Sequence, residues 1–205
     1  MGTAVVVVVI VVLVVALAAV AVVVAARISA RRTREARGRQ HAATAAVMTP
    51  DGRLSPVAIT VGDVVNIKGT DNLVVGSVRY DEDGFQWLEH LLEDTERTWL
   101  SVEDDEGVLE TVLWRQVKGS TQEPGGAEVS LDGVTYAFQE RGRAAYSTSG
   151  STGLPAHGHM EYADYVGPDG HRLGFERFTS GSWEMATGVV LAPAEVTVWA
   201  RSAGA

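Results

Sequence analysis

Leu73-Val74-Val75-Gly76-Ser77-Val78-Arg79-Tyr80 and Phe85-Gln86-Trp87-Leu88-Glu89-His90-Leu91-Leu92 stand on either side of Asp81-Glu82-Asp83-Gly84. Both runs are rich in valine, leucine and aromatic residues, and the four residues between them have turn composition. Successive strand residues face opposite sides, so Phe85, Trp87, Glu89 and Leu91 share one face, and Gln86, Leu88, His90 and Leu92 the other. Bulky apolar groups occupy both faces. That pattern belongs to a central strand, and it makes Glu89 an acid expected to be buried.

The same period of two continues outward. Val64 to Lys68, Thr98 to Glu103 and Glu110 to Arg115 are further short runs, separated by the turn compositions Gly69 to Asn72 and Glu103 to Gly107. Beyond them come Val134 to Glu140, Ala144 to Ser149, His159 to Val166, Arg172 to Phe178, Trp183 to Thr187 and Val189 to Leu191. Gly142, Gly167 to Gly170 and Ser180-Gly181 punctuate these runs. No sustained helical stripe follows residue 40. The expected fold is all-β, an antiparallel meander over residues 57–199 that closes as a barrel or a two-sheet sandwich. Glu89-His90 followed by Leu100 to Glu103 is similar to Glu161-Tyr162 followed by Leu173 to Glu176. Two similar halves would produce this, and so would chance in an acidic β-protein.

Ahead of the β-region every residue from Ala4 to Ala26 is Ala, Val, Ile or Leu. As a helix this run would rise about 34 Å, enough to cross a hydrocarbon core of roughly 30 Å. Only a helix satisfies the backbone of an isolated segment in lipid, so a transmembrane helix is expected over 4–26. A cleaved secretory signal would need a basic start and a shorter apolar run, and residues 1–3 carry no basic side chain. Arg27, Arg31, Arg32, Arg34, Arg37 and Arg39 follow, opposed only by Glu35. This collar places the C-terminal side in the cytoplasm, with Arg27, Arg31, Arg32 and Arg34 at lipid headgroups. Residues 27–56 read as this basic collar and a tether ending in Pro50, Gly52 and Pro56, and residues 200–205 as a disordered tail. The expectation is a single-pass protein of the cell membrane, its N-terminus outside and its β-domain cytoplasmic.

Composition narrows the chemistry. The chain has 205 residues, a formal charge of −9 and no cysteine, which excludes disulfides, thiolate metal sites and cysteine nucleophiles. Without the arginine collar and its one glutamate, residues 40–205 carry 11 basic and 25 acidic side chains, or −14. Nucleic acid is not an expected partner of so acidic a domain.

The order Val61-Gly62-Asp63-Val64-Val65, Val75-Gly76-Ser77-Val78, Trp87 to Leu92 and Trp99-Leu100-Ser101-Val102-Glu103 resembles the bacterial domain-of-unknown-function 4178 family. Asp132-Gly133-Val134-Thr135-Tyr136, Glu140, Gly142, Ala144, Tyr162-Ala163-Asp164-Tyr165, Glu176 and Gly188-Val189-Val190 extend the resemblance across about residues 57–192. It implies no known chemistry. It does imply genes near those of a polyamine aminopropyltransferase-like protein and of small membrane proteins, an association that bears only weakly on mechanism.

Three groups of residues are candidates for function. His157-Gly158-His159-Met160-Glu161 would put two imidazoles and a carboxylate on one face of a strand, a set able to bind a metal, with Asp164 and His171 nearby. Solvated histidines in the Gly- and Ser-rich loop before them are the competing account. Glu89, Glu103, Glu140, Glu161 and Glu176 are strand carboxylates; two brought together inside a barrel would serve as acid and base. Structural pairing with Arg79, Arg97, Arg115, Arg141 and Arg177 competes with that role. The acidic runs at residues 81–84 and 103–107 do not follow EF-hand spacing, and Ser149 to Gly153 lacks the lysine and following helix of a phosphate loop. The expected function is a binding or assembly module, with a membrane or cytoplasmic protein or a polyamine as partner besides the bilayer, and with no cofactor. Ligand contacts would fall on Trp87, Glu89, Glu103, Glu161, Tyr162 and Glu176. The alternative is an enzyme or metal-binding protein using barrel carboxylates and the His157/His159 pair.

Overall fold

The computed structural model describes residues 55–105, 108–179 and 181–199. They form eleven strands: β1 (Val64–Ile67), β2 (Thr70–Glu82), β3 (Phe85–Leu92), β4 (Thr98–Asp105), β5 (Val108–Gln116), β6 (Glu128–Leu131), β7 (Val134–Gly150), β8 (His157–Val166), β9 (His171–Phe178), β10 (Glu184–Leu191) and β11 (Val196–Trp199). The only helical elements among the described residues are 3-10 turns at Pro56–Ala58, Pro168–Gly170 and Pro193–Glu195. No helix among these residues is long and apolar enough to cross a membrane. The span expected over 4–26 and the collar with Arg27, Arg31, Arg32 and Arg34 lie outside the described residues.

Every pairing is antiparallel, in the order β11-β1-β2-β3-β4-β5-β10-β9-β8-β7-β6. β2 also pairs β7, from Gly76 opposite Gly150 to Asp81 opposite Ala145. The eight strands from β2 round to β7 therefore close into a ring, and of the two expected architectures the barrel is the one formed. β2 and β7 are the longest strands, with 13 and 17 residues. The start of each lies outside the ring, where β2 carries β1 and β11 and β7 carries β6. β1 to β5 and β6 to β10 repeat one connectivity: a four-residue strand, a tight turn, a long strand and three more strands.

The turns are tighter than composition suggests. Lys68-Gly69, Asp83-Gly84 and Asp132-Gly133 each have positive φ at both residues, 51° and 87°, 53° and 90°, 50° and 81°. These are two-residue hairpin turns whose twist matches that of the strands they join. Thr70 to Asn72 and Asp81-Glu82, which read as turn, are accordingly paired strand residues. Two apparent breaks are also absent. Gly142 lies within β7 and Gly188 within β10, because each faces an aromatic ring: a Cβ on Gly142 would strike Tyr162, and one on Gly188 would come within 2.7 Å of Trp114.

The apolar cores lie mainly outside the ring. Leu92, Leu100, Val102 and Leu191, on the outer faces of β3, β4 and β10, pack against Val65, Ile67 and Val198 of β1 and β11 and against Ile59. A separate cluster joins Ala163, Tyr165, Leu173, Phe175 and Met185 to Val129 and Tyr136 of β6 and β7. A third, of Val78, Tyr80, Ala144, Tyr146, Met160 and Tyr162, fills the inside along the β2–β7 seam. In the outer layer His90 is fully buried, its Nδ1 2.8 Å from Ser77 Oγ. Burial lowers its pKa to about 4, so the imidazole is neutral.

Leu100 and Leu173 are both 0% exposed and belong to different outer clusters. Leu100→Ala and Leu173→Ala should each cost about 2 to 5 kcal/mol, and the double variant should show their sum, since the clusters share no member. Urea unfolding checks this; strong non-additivity would mean that the two cores are not independent.

Candidate functional site

The inward faces of the ring are polar and aromatic. They enclose a cavity of about 160 Å³, lined from β3 by Trp87 and Glu89, from β4 by Trp99 and Glu103, from β5 by Glu110 and Trp114, from β8 by Tyr162 and Asp164, and from β9 by Arg172 and Glu176. An adjoining cavity of about 210 Å³ shares Glu89, Arg97, Trp99, Glu176 and Glu184 with it and extends to Tyr80, Leu154 and Phe178. An eight-stranded barrel is about wide enough to be filled by its own side chains or to hold one small ligand.

The aromatic wall is built by register. Tyr80 and Trp87 are opposite each other on β2 and β3 and stack with centroids 4.8 Å apart; Tyr162 meets Trp87 edge-on at 5.7 Å. Trp99 and Trp114 are partners on β4 and β5. The Trp114 indole N–H donates to Ser101 Oγ at 2.9 Å, and its ring lies over Gly188 of the adjacent β10 and Gly174 of β9 beyond it. Both glycines leave the room that this indole occupies. The Tyr162 hydroxyl donates to Glu82 Oε2 at 2.6 Å.

Against this wall stand the carboxylates. Glu89 Oε2 accepts a hydrogen bond from the Tyr80 hydroxyl at 3.4 Å. Burial, with the charge of Asp164 added, raises the Glu89 pKa to about 7, while the Tyr80 bond acts in the opposite direction. Burial likewise raises Asp164 well above the ordinary carboxylate range, with Glu140, Glu176 and Glu103 adding to it and Arg172 opposing. Glu176, directly across from Glu184, is raised by burial and by the charges of Glu89 and Glu184. These acids are only half-buried as measured by surface open to water, because they line a cavity, yet protein surrounds them. Cations are few here. Arg172 is held by Glu110 at 3.1 Å, and Arg97 donates to the Thr152 carbonyl at 3.4 Å. Among the described residues no ion pair involves Glu89, Asp164 or Glu176.

Of the residues singled out in the sequence, Trp87, Glu89, Glu103, Tyr162 and Glu176 meet in this interior. Glu161 does not. Met160, Tyr162 and Asp164 of β8 face inward, so Glu161 faces out, where Arg177 donates to it at 2.6 Å and itself lies 4.7 Å over the Trp183 ring. His157 and His159 are exposed at the start of β8 rather than in a loop. Among the described residues no three His, Cys, Asp or Glu side chains are grouped to hold a metal ion. Asp164, Trp99 and Trp114 complete the site without having been singled out as ligand contacts. Alternation from Tyr162 would have found Asp164; the tryptophans needed the ring closure.

The high Glu89 pKa has a stability consequence. Between about 4.5 and about 7 the folded chain holds this proton more tightly than the unfolded chain does, so the contribution of Glu89 is full below that window, is lost as pH rises through it, and is level above. The stability of the native sequence relative to Glu89→Gln should therefore decline across this window in urea unfolding. A difference independent of pH would contradict the burial of the carboxyl.

The family described as "Domain of unknown function (DUF4178)" matches residues 60–193. Uncharacterized protein Rv2597 of Mycobacterium tuberculosis (strain ATCC 25618 / H37Rv) is 40% identical over 169 residues, covering 74% of this chain and 82% of that protein. Uncharacterized protein Mb2628 of Mycobacterium bovis shows the same identity and coverage. No solved structure matches. The matched residues run from just before β1 to just after β10 and take in the whole ring and its interior acids; the chain belongs to the domain-of-unknown-function 4178 family.

Proposed function

We propose that this protein is a binding module whose barrel holds a small organic cation, a polyamine or related amine. The observation that carries this reading is the cavity in which Glu89, Asp164 and Glu176 face Trp87, Trp99 and Trp114. Ammonium groups are held by carboxylates and by aromatic faces, a cation-π contact contributing roughly 0.5 to 2 kcal/mol. A carboxylate surrounded by protein gains more from such a ligand than one in water, because the local dielectric is lower. In the same reading the apolar run at 4–26 anchors the module in the cell membrane, and the arginine collar keeps the barrel on the cytoplasmic side. A protein partner would then meet the outer surface rather than the lumen. A second reading, an acid-base enzyme, draws on the Glu89 carboxyl, whose value near 7 suits proton transfer.

Calorimetry at low salt tests the amine site. Spermidine should bind more tightly than magnesium at equal ionic strength. Glu89→Gln and Glu176→Gln should each weaken it by about ten-fold or more, since a hydrogen bond to a charged group contributes roughly 1.5 to 3 kcal/mol. Glu161→Gln, on the outer face, should leave it unchanged. Equal affinity for the two cations, or indifference to both interior variants, would remove the amine site and leave a module that acts through its surface.

A further inference from the structure

The interior carries far more acid than base. Seven carboxylates and two guanidinium groups line the cavity of about 160 Å³. From β2 the Tyr80 hydroxyl faces Glu89, and Glu82, which does not line the cavity, accepts from the Tyr162 hydroxyl. β4 and β5 contribute Glu103 and Glu110, the latter held by Arg172 of β9; β7 contributes Glu140, and β10 contributes Glu184 opposite Glu176. Arg97, from the loop before β4, is turned to the Thr152 carbonyl. Glu184 is exposed and Glu110 is held by Arg172, but Glu89, Asp164 and Glu176 are surrounded by protein, where each added negative charge meets its neighbours across a poorly screening interior.

We propose that a cation enters the lumen in exchange for protons, so that occupancy is coupled to pH and increases as the pH rises. This rests on the amine-binding reading above and adds its regulation. In the free protein burial and the neighbouring acids favour the protonated carboxyls of Glu89, Asp164 and Glu176, with Arg172 opposing at Asp164, and no ion pair holds any of the three among the described residues. When an ammonium group arrives beside one of them, its proton leaves to the buffer and the carboxylate that remains faces the ligand. One positive charge enters as one leaves, so the lumen's net charge is unchanged and the cost of a multiply ionised interior is never met. The direction agrees with the raised pKa values of all three acids, which a neighbouring cation lowers.

The test titrates the full chain with 1,4-diaminobutane, whose two ammonium groups stay charged throughout, between about pH 5.5 and pH 7.5 in buffers of different ionisation heat. The expected result is proton release and an affinity that tightens up to about ten-fold per pH unit for each proton released. Glu89→Gln should lower the number of protons released and flatten the profile, whereas Glu161→Gln on the outer face should change neither. Binding with the same affinity at every pH and the same heat in every buffer would overturn the exchange and leave the amine site standing. Absence of binding at every pH would remove both. A second measurement needs no ligand: in carbon-13 spectra of the free chain, the carboxyl resonance lost in Glu89→Gln should titrate well above the ordinary glutamate range. A midpoint within that range overturns the exchange whether or not diaminobutane binds.

Discussion

The inside of an eight-stranded ring admits little more than one layer of side chains, and here that layer is largely acidic and aromatic. Most of the apolar burial that stabilises the domain must therefore come from elsewhere. It comes from the outer surface: the β1–β2 hairpin with β11 covers one flank of the ring, and β6 with the start of β7 covers another. The unusual length of β2 and β7 follows from this division, since each supplies one stretch to the ring and another to an outer layer.

The wall and the site are therefore set by the same alternation. On β4, Leu100 and Val102 face the outer core while Trp99, Ser101 and Glu103 face the lumen; on β9, Leu173 and Phe175 face out while Arg172, Gly174 and Glu176 face in. A slip of one residue in either strand would put carboxylates into the core and leucines into the lumen, and both errors are costly, which holds the register of the acids firmly. The glycines at 188 and 174 belong to the same arrangement, since a Cβ on Gly188 would strike the Trp114 indole and one on Gly174 would crowd it where it lies across β10 and β9. Burial disfavours the charged form of these carboxylates, which is why their pKa values are raised.

Much of this was legible along the chain, and the limits have physical causes. Alternation in Phe85 to Leu92, with apolar groups on both faces, indicated a central strand and a buried Glu89; the strand is central, between β2 and β4. On β8 the same rule separates Tyr162, which faces the lumen, from Glu161, which faces out to Arg177, so the two cannot both be lumen contacts. Gly142 and Gly188 read as interruptions because composition cannot distinguish a glycine that ends a strand from one that receives an aromatic ring. Lys68, Asp83 and Asp132 occupy the left-handed region that two-residue turns require, so residues flanking them that looked like loop are paired.

By itself the sequence determined the period of two, the all-β class, the excess of acid over base and the family, because these depend on local spacing and composition. Only the tertiary structure decided that β2 meets β7 and closes the ring, and hence which face of each strand became lumen and which became core. That choice rests on pairings between residues such as Gly76 and Gly150, far apart in the chain, whose contribution appears only when the strands between them have already paired. The gathering of Glu89, Asp164 and Glu176 in one cavity is a consequence of that closure, and no spacing along the chain records it.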